Sequence, residues 1–226
     1  MYKRCGWRGR ISLTFLMMWT AGSVFAQNIV SNPNFDTQLA PWAQFLSSAP
    51  DPAGAGAAPT RIAVDINNSP SSGAGQVNIN TTTPAGDAAS GIAQCVDFGA
   101  PTAISFMNYG MSFRIPAATT ADAAINATVE VRLFTSAGCS GFLTGGSQGR
   151  DLLAGMPSDI TWYTVGDTSF VPPGAPVMAA SAEFRAYLRE INGVGPTTTS
   201  YTVDYDAAHL VLNSLTPVRL QQFDVE

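Results

Sequence analysis

From Ile125 to Leu133, apolar and polar side chains alternate one by one. Ile125, Ala127, Val129, Val131 and Leu133 fall on one side, and Asn126, Thr128, Glu130 and Arg132 on the other. Successive side chains of a strand point to opposite faces, so this period of two predicts a half-buried strand. The pattern returns where Ala182, Phe184, Ala186 and Leu188 interleave with Glu183, Arg185, Tyr187 and Arg189. Further strands are predicted from Arg61 to Ile66, Gln76 to Ile79, Gly91 to Phe98, Ala103 to Arg114, Tyr163 to Phe170, Tyr201 to Leu212 and Leu220 to Val225. Helical periodicity is nearly absent. The intervening segments, such as SSAPDPAGAGAAP and NNSPSSGAG, are rich in turn-forming residues. Many short strands broken by turn chemistry predict an all-β chain folded as a single antiparallel β-sandwich.

Composition changes this picture at the chain's start. Lys3, Arg4, Arg8 and Arg10 precede an apolar run from Ile11 to Phe25 that ends in Val24-Phe25-Ala26. That is the pattern of a secretory signal peptide, too short for a confident membrane span. The expected organisation is a signal peptide over 1–26, a β-sandwich domain over 27–215 and a C-terminal strand or tail over 216–226. Sixteen acidic residues outnumber eleven basic ones, four of which would leave with the leader. Nucleic acid and anionic membranes are therefore not expected partners. With Cys5 removed, Cys95 and Cys139 remain, an even pair in an oxidising compartment, and they are expected to form one disulfide.

Several stretches carry a family likeness. Asn28, Ile29, Asn32, Phe35, Asp36 and Trp42 occupy the places of an N-L-x-x-N-x-x-F-E-x-x-x-x-x-W first strand, with Asp where Glu is usual. GIAQCVDF (91–98), TWYTVGDTSFVPPG (161–174) and YTVDYDAAHLVL (201–212) follow in family order. The chain thus resembles carbohydrate-binding-module-like jelly rolls of the CenC type, within the galactose-binding-like fold. The resemblance implies a secreted protein, extracellular or periplasmic, that recognises a glycan or another extracellular polymer. It also implies a possible structural calcium held by Asp36 and Asp206, with Asp204 in reserve, since either Asp204 or Asp206 stands in the place of the family's acid. Calcium takes six to eight oxygen ligands, which short acidic side chains beside turn carbonyls supply.

The outward sides of the two alternating strands are the other candidate. Glu183, Arg185, Tyr187 and Arg189, with Glu130 and Arg132, combine an aromatic ring with planar hydrogen-bonding groups, a set that suits sugar hydroxyls and pyranose faces. On an exposed sheet the same residues would simply form cross-strand pairs. Trp42, Trp162, Tyr109 and Phe113 are expected in the core. GGSQG (145–149) matches the G-x-S-x-G nucleophile elbow, with Asp204 and His209 following in hydrolase order. The elbow needs a strand-to-turn-to-helix setting in a parallel sheet, and none is evident. One histidine excludes a multi-histidine zinc site. The expectation is a non-enzymatic binding protein, the alternatives being a structural or adhesive protein that uses the sandwich for protein contacts and, remotely, a serine hydrolase.

Overall fold

A computed structural model describes residues 27–47, 56–80, 88–116, 122–152, 161–191 and 200–213. Among them there is no helix. Ten strands form two five-stranded sheets: β1 (Ala43–Ser47), β2 (Thr60–Ile62), β3 (Ala74–Asn80), β4 (Ala89–Ile104), β5 (Met107–Arg114), β6 (Asp122–Ser136), β7 (Ser140–Leu152), β8 (Trp162–Phe170), β9 (Val177–Glu190) and β10 (Ser200–Leu212). One sheet has the order β1-β4-β9-β6-β7, the other β2-β3-β10-β5-β8, and every pairing is antiparallel. The sheets pack face to face as a sandwich, the predicted fold class.

The alternating strands sit at the centre of the first sheet. Ile125, Ala127, Val129, Val131 and Leu133 of β6 and Ala182, Phe184, Ala186 and Leu188 of β9 are all fully buried. They face Val77, Ile79, Tyr201, Val203 and Tyr205 of the second sheet within one core cluster. Each large apolar side chain so buried contributes about 2 kcal/mol to folding. The two layers are also tied by one polar bond inside the core: the Tyr205 hydroxyl donates to the Tyr187 carbonyl at 2.8 Å.

The stretch from Asn28 to Trp42 closes one end of the sandwich. Asn32, at φ 47°, accepts the Asp36 amide on Oδ1 and donates from Nδ2 to the Gln38 and Ala40 carbonyls. Asn tolerates this left-handed backbone better than most residues. The resulting turn drives Phe35 and Trp42 inward, with ring centroids 5.6 Å apart and Trp42 edge-on to Phe184 at 5.7 Å. Residues 28–33 run along β10: the Ile29 amide bonds the Leu210 carbonyl, and the Ala208 amide bonds the Pro33 carbonyl.

Boundaries differ from expectation where a side chain intervenes. The strand predicted from Arg61 ends at Ile62, because Asp65 turns the chain by accepting the Asn67 and Ser69 amides on Oδ1. The single strand predicted from Ala103 to Arg114 is the junction of β4 and β5, pinned by Asn213, whose amide group bonds Ser105 N and the Ala103 carbonyl. Trp162, expected in the core, lies half-buried against the Arg114 guanidinium at 5.7 Å. Trp42, Tyr109 and Phe113 are in the core as expected. Cys95 and Cys139 form the predicted disulfide, with Cα atoms 5.9 Å apart. The signal peptide, the Leu220–Val225 strand and the tail lie outside the described residues.

Candidate functional site

Register decides which side chains meet on the outer face of the β1-β4-β9-β6-β7 sheet. β9 and β6 pair Arg185 with Glu130, Glu183 with Arg132, Tyr187 with Thr128 and Arg189 with Asn126. All six residues singled out from the sequence for ligand binding therefore share one surface. On the flanking strands the positions in register are small. Tyr187 faces Gly91 and Arg185 faces Ala93 on β4, while Thr128 faces Gly149 and Glu130 faces Ser147 on β7. A central polar ridge thus runs between two lowered flanks, and β1 closes one flank with Phe45, which pairs with Gly91.

The ridge is organised around Arg185. Its Nη2 lies 2.6 Å from Glu183 and its Nη1 3.2 Å from Glu130, while the guanidinium stacks over the Phe45 ring at 4.4 Å. Phe45 also meets the Tyr187 ring, centroid to centroid, at 5.2 Å. Tyr187 is buried up to its hydroxyl, which bonds the Glu130 carboxylate; burial first, then the negative charge of Glu130, pushes its pKa up to about 12, against the pull of Arg189 and Arg185. Removing this hydroxyl from water disfavours the phenolate, so at neutral pH Tyr187 is a hydrogen-bond donor.

Two cavities open beside the ridge. The smaller, about 160 Å³, lies among Phe45, Ser47, Glu130, Arg185, Tyr187 and Arg189. The larger, about 440 Å³, is lined by Asn126, Thr128, Ser147, Gly149, Arg189 and Ile191. Arg189 belongs to both. Thr128 donates to Asn126 Oδ1 at 2.7 Å, and Asn126 Nδ2 donates to Asp151 at 2.9 Å, so the polar floor of the larger cavity is held in one orientation. Glu183 and Arg132 border the ridge without lining either cavity. Arg132 is drawn to the far end, over the Phe142 ring at 4.4 Å and the Phe134 ring at 5.5 Å.

Sequence reasoning missed Phe45 and the contribution of β7. Phe45 sits in a five-residue strand with no clear alternation, and Ser147 and Gly149 sit in a glycine-rich run that reads as a loop. The pairing partner reveals both: opposite a strand with large outward side chains, glycine is what fits.

The other candidate groups are placed elsewhere. Ser147 lies inside antiparallel strand β7, with a strand rather than a turn and helix on both sides of it, while Asp204 and His209 are on β10 of the opposite sheet. The Asp204 carboxylate is engaged by Arg114 at 2.6 Å and Gln76 at 2.9 Å, and His209 exchanges a hydrogen bond with Asn108 at 3.0 Å. Burial holds the His209 pKa below its ordinary value. The Ser-Asp-His order thus assembles no triad.

The acids that the family likeness assigns to calcium have these neighbours. Among the described residues no group of three or more His, Cys, Asp or Glu is placed to hold a metal ion. Arg114 already supplies the cation at Asp204, and Asp36 is exposed, using its backbone carbonyl to accept from Arg61. Asp206 faces Asp65 and accepts the Ile66 and Ala207 amides.

No family model and no curated protein matches the chain. Among solved structures it is similar to the enzymatically active domain of tailspike protein 4 of bacteriophage CBA120, at 17% identity and a TM-score of 0.47. The match covers 82% of this chain and 21% of that one, so the chain spans about a fifth of the structure it matches. The expectation that this chain is no enzyme is corrected here. A β-sandwich hosts catalytic and non-catalytic sites alike, so the fold gives no ground for excluding catalysis. A likeness of this strength assigns no reaction either.

Proposed function

We propose that the outer face of the β1-β4-β9-β6-β7 sheet binds a glycan, on a domain exported to an oxidising compartment. One observation carries this reading. Phe45, Tyr187, Arg185 and Glu130 converge with Arg189, Asn126, Thr128 and Ser147 around two adjoining cavities on one sheet face. Aromatic edges beside oriented hydroxyl, amide and guanidinium groups match the alternating C–H faces and hydroxyls of a sugar ring. The Cys95–Cys139 disulfide supports the compartment. The test is a glycan array probed with the purified protein and with Tyr187→Ala, Arg185→Ala and Phe45→Ala. Binding that each substitution weakens supports the proposal.

A second reading, protein contacts through the sandwich, is favoured by Phe142 and Leu143. Both are exposed at the start of β7, an edge strand with backbone groups available to a partner. A blank array with purified, folded protein favours this reading.

A further inference from the structure

We infer that a second copy of this chain pairs with the β7 edge, antiparallel and about a two-fold axis perpendicular to the sheet; this rests on the protein-contact reading above and names its partner. The backbone N–H and C=O groups along an edge strand invite another strand unless something blunts the edge. Among the described residues four strands hold an edge position, and three of them are blunted. β1 has 5 residues and β2 only 3. β8 is broken by a register shift opposite Met107 and Tyr109, and its Ser169 amide is taken by the Asp167 carboxylate at 2.9 Å. β7 has none of these devices. It runs for 13 residues, and from Thr144 to Asp151 it keeps unbroken register with β6.

The side chains of β7 leave this edge open and compatible with itself. Those turned inward are tied to β8: Gln148 donates to Asp167 at 3.4 Å, and the Arg150 guanidinium lies over the Tyr163 ring at 4.7 Å. Outward stand Gly145, Ser147, Gly149 and Asp151, and Asn126 on β6 holds the Asp151 carboxylate at 2.9 Å. The strand contains no Pro or Lys, and its one Arg and one Asp cancel. Phe142 and Leu143, exposed at its start, add apolar surface. Residues directly opposite in an antiparallel pair share a face, so the axis must pass through a residue, and Ser147 or Gln148 gives the longest overlap. In either register no two like charges face each other. The joined sheets keep their outer faces on one side. The larger cavity ends at Ser147 and Gly149, on the edge itself, so the β7 strand of the second copy completes its open flank and sets two such cavities side by side.

The test is sedimentation velocity of the full chain over about a hundredfold range of concentration, together with variants that carry one added cysteine. The mass is expected to approach that of two chains at the upper end of the range. Ser147→Lys sets two ammonium groups beside the axis and should weaken the dimer about tenfold or more, with circular dichroism checking that the β fold is kept. Thr168→Lys, at an exposed position of the β8 edge, should leave the dimer unchanged. Of Ser147→Cys and Gln148→Cys, the one on the axis should form a disulfide between copies on oxidation, and Thr168→Cys should not. A mass of one chain at every concentration overturns the inference. So does a dimer that Ser147→Lys leaves intact, or one that neither added cysteine on β7 links. The protein-contact reading itself is decided separately, by the glycan array.

Discussion

The guanidinium carbon of Arg185 lies 4.4 Å from the centre of the Phe45 ring, and this contact, beside that of Phe45 with Tyr187, joins the edge strand β1 to the centre of its sheet. Phe45 offers a π-face to a cation whose two Nη atoms are already held by Glu130 and Glu183. Lysine has a single ammonium and no planar fork, so Arg185→Lys cannot keep both carboxylates while stacking on Phe45. Phe45→Ala removes the stack, worth about 1 kcal/mol at a partly exposed site, and the contact with Tyr187. Both variants are expected to lower stability by about 1–2 kcal/mol in urea titration. A stability loss under about 0.3 kcal/mol for both would contradict the role given to this pair.

Two glycines on the same face predict opposite outcomes. A Cβ on Gly91 would stand 2.1 Å from the Ala186 carbonyl oxygen and 2.4 Å from Tyr187 Cβ, both fixed by the neighbouring strand. Gly91→Ala is therefore expected to destabilise by about 2–3 kcal/mol, as overpacking against backbone does. A Cβ on Gly149 would meet only the end of the Asn126 side chain, at 1.9 Å from Oδ1. That amide can swing away, breaking its bonds to Thr128 and Asp151. Gly149→Ala should leave the melting temperature within about 2 °C of the parent while changing the amide chemical shifts of Thr128 and Asp151. Equal destabilisation by both substitutions would show that the β7 flank is as tightly packed as the β4 flank.

The contrast between those two flanks also explains how much the sequence disclosed. β6 and β9 were legible because they are central strands with one face in the core and one in solvent, the condition that produces clean alternation. Their register then brings Glu130 to Arg185 and Arg132 to Glu183, so the ridge was legible as well. β7 was not. GGSQG owes its glycines to close neighbours from distant strands: a Cβ at Gly145 would approach the Val131 carbonyl oxygen at 2.6 Å, and one at Gly146 the Phe170 ring at 2.5 Å. These are long-range demands that local composition mimics as loop. No local feature announces that Arg114 will claim Asp204 or that Asp65 will lie beside Asp206.

The disulfide bridges β4 to the β6–β7 hairpin across the intervening strand β9, closing a loop with a sequence separation of 44. Beside it, Asp97 accepts the Gly138 amide at 2.7 Å and Ser181 accepts the Cys139 amide at 3.1 Å. In the chain-entropy model a loop of this length stabilises the fold by about 4 kcal/mol. Reduction, or the paired replacement Cys95→Ser with Cys139→Ser, should lower the melting temperature by roughly 10 °C. The hydrogen bonds around the hairpin do not depend on the bridge, so the reduced protein should still fold at room temperature. A reduced form with unchanged melting temperature would mean that the two cysteines contribute no restraint to the unfolded chain.

Asp206 and Asp65 contribute terms of opposite sign to the pH dependence of stability. Burial raises the Asp206 pKa to about 6, with the neighbouring Asp65 adding to it, against hydrogen bonds from the Ile66 and Ala207 amides. At Asp65 burial pushes upward too, but bonds from Ser69, Ser72 and Asn67 outweigh it and hold the pKa below the ordinary value. A carboxyl whose folded pKa is raised binds its proton more tightly folded than unfolded. Its stabilising contribution is therefore fully present below about pH 4 and is lost as pH rises through about 6. The Asp65 contribution has the opposite sign and is lost only in acid, as pH falls through its depressed pKa. Between pH 4.5 and 7 the Asp206 term acts alone of the two, on the order of 1–3 kcal/mol. Asparagine imitates the protonated acid: it keeps one oxygen to accept a backbone amide and offers an N–H to Asp65. Asp206→Asn should therefore be more stable than the parent at pH 7, and the difference should shrink toward pH 4.5 and vanish below about pH 4. Melting curves of the two proteins at both pH values decide the matter, because a variant less stable than the parent at pH 7 would mean that the Asp206 carboxyl is ionised and favourably bonded in the folded chain.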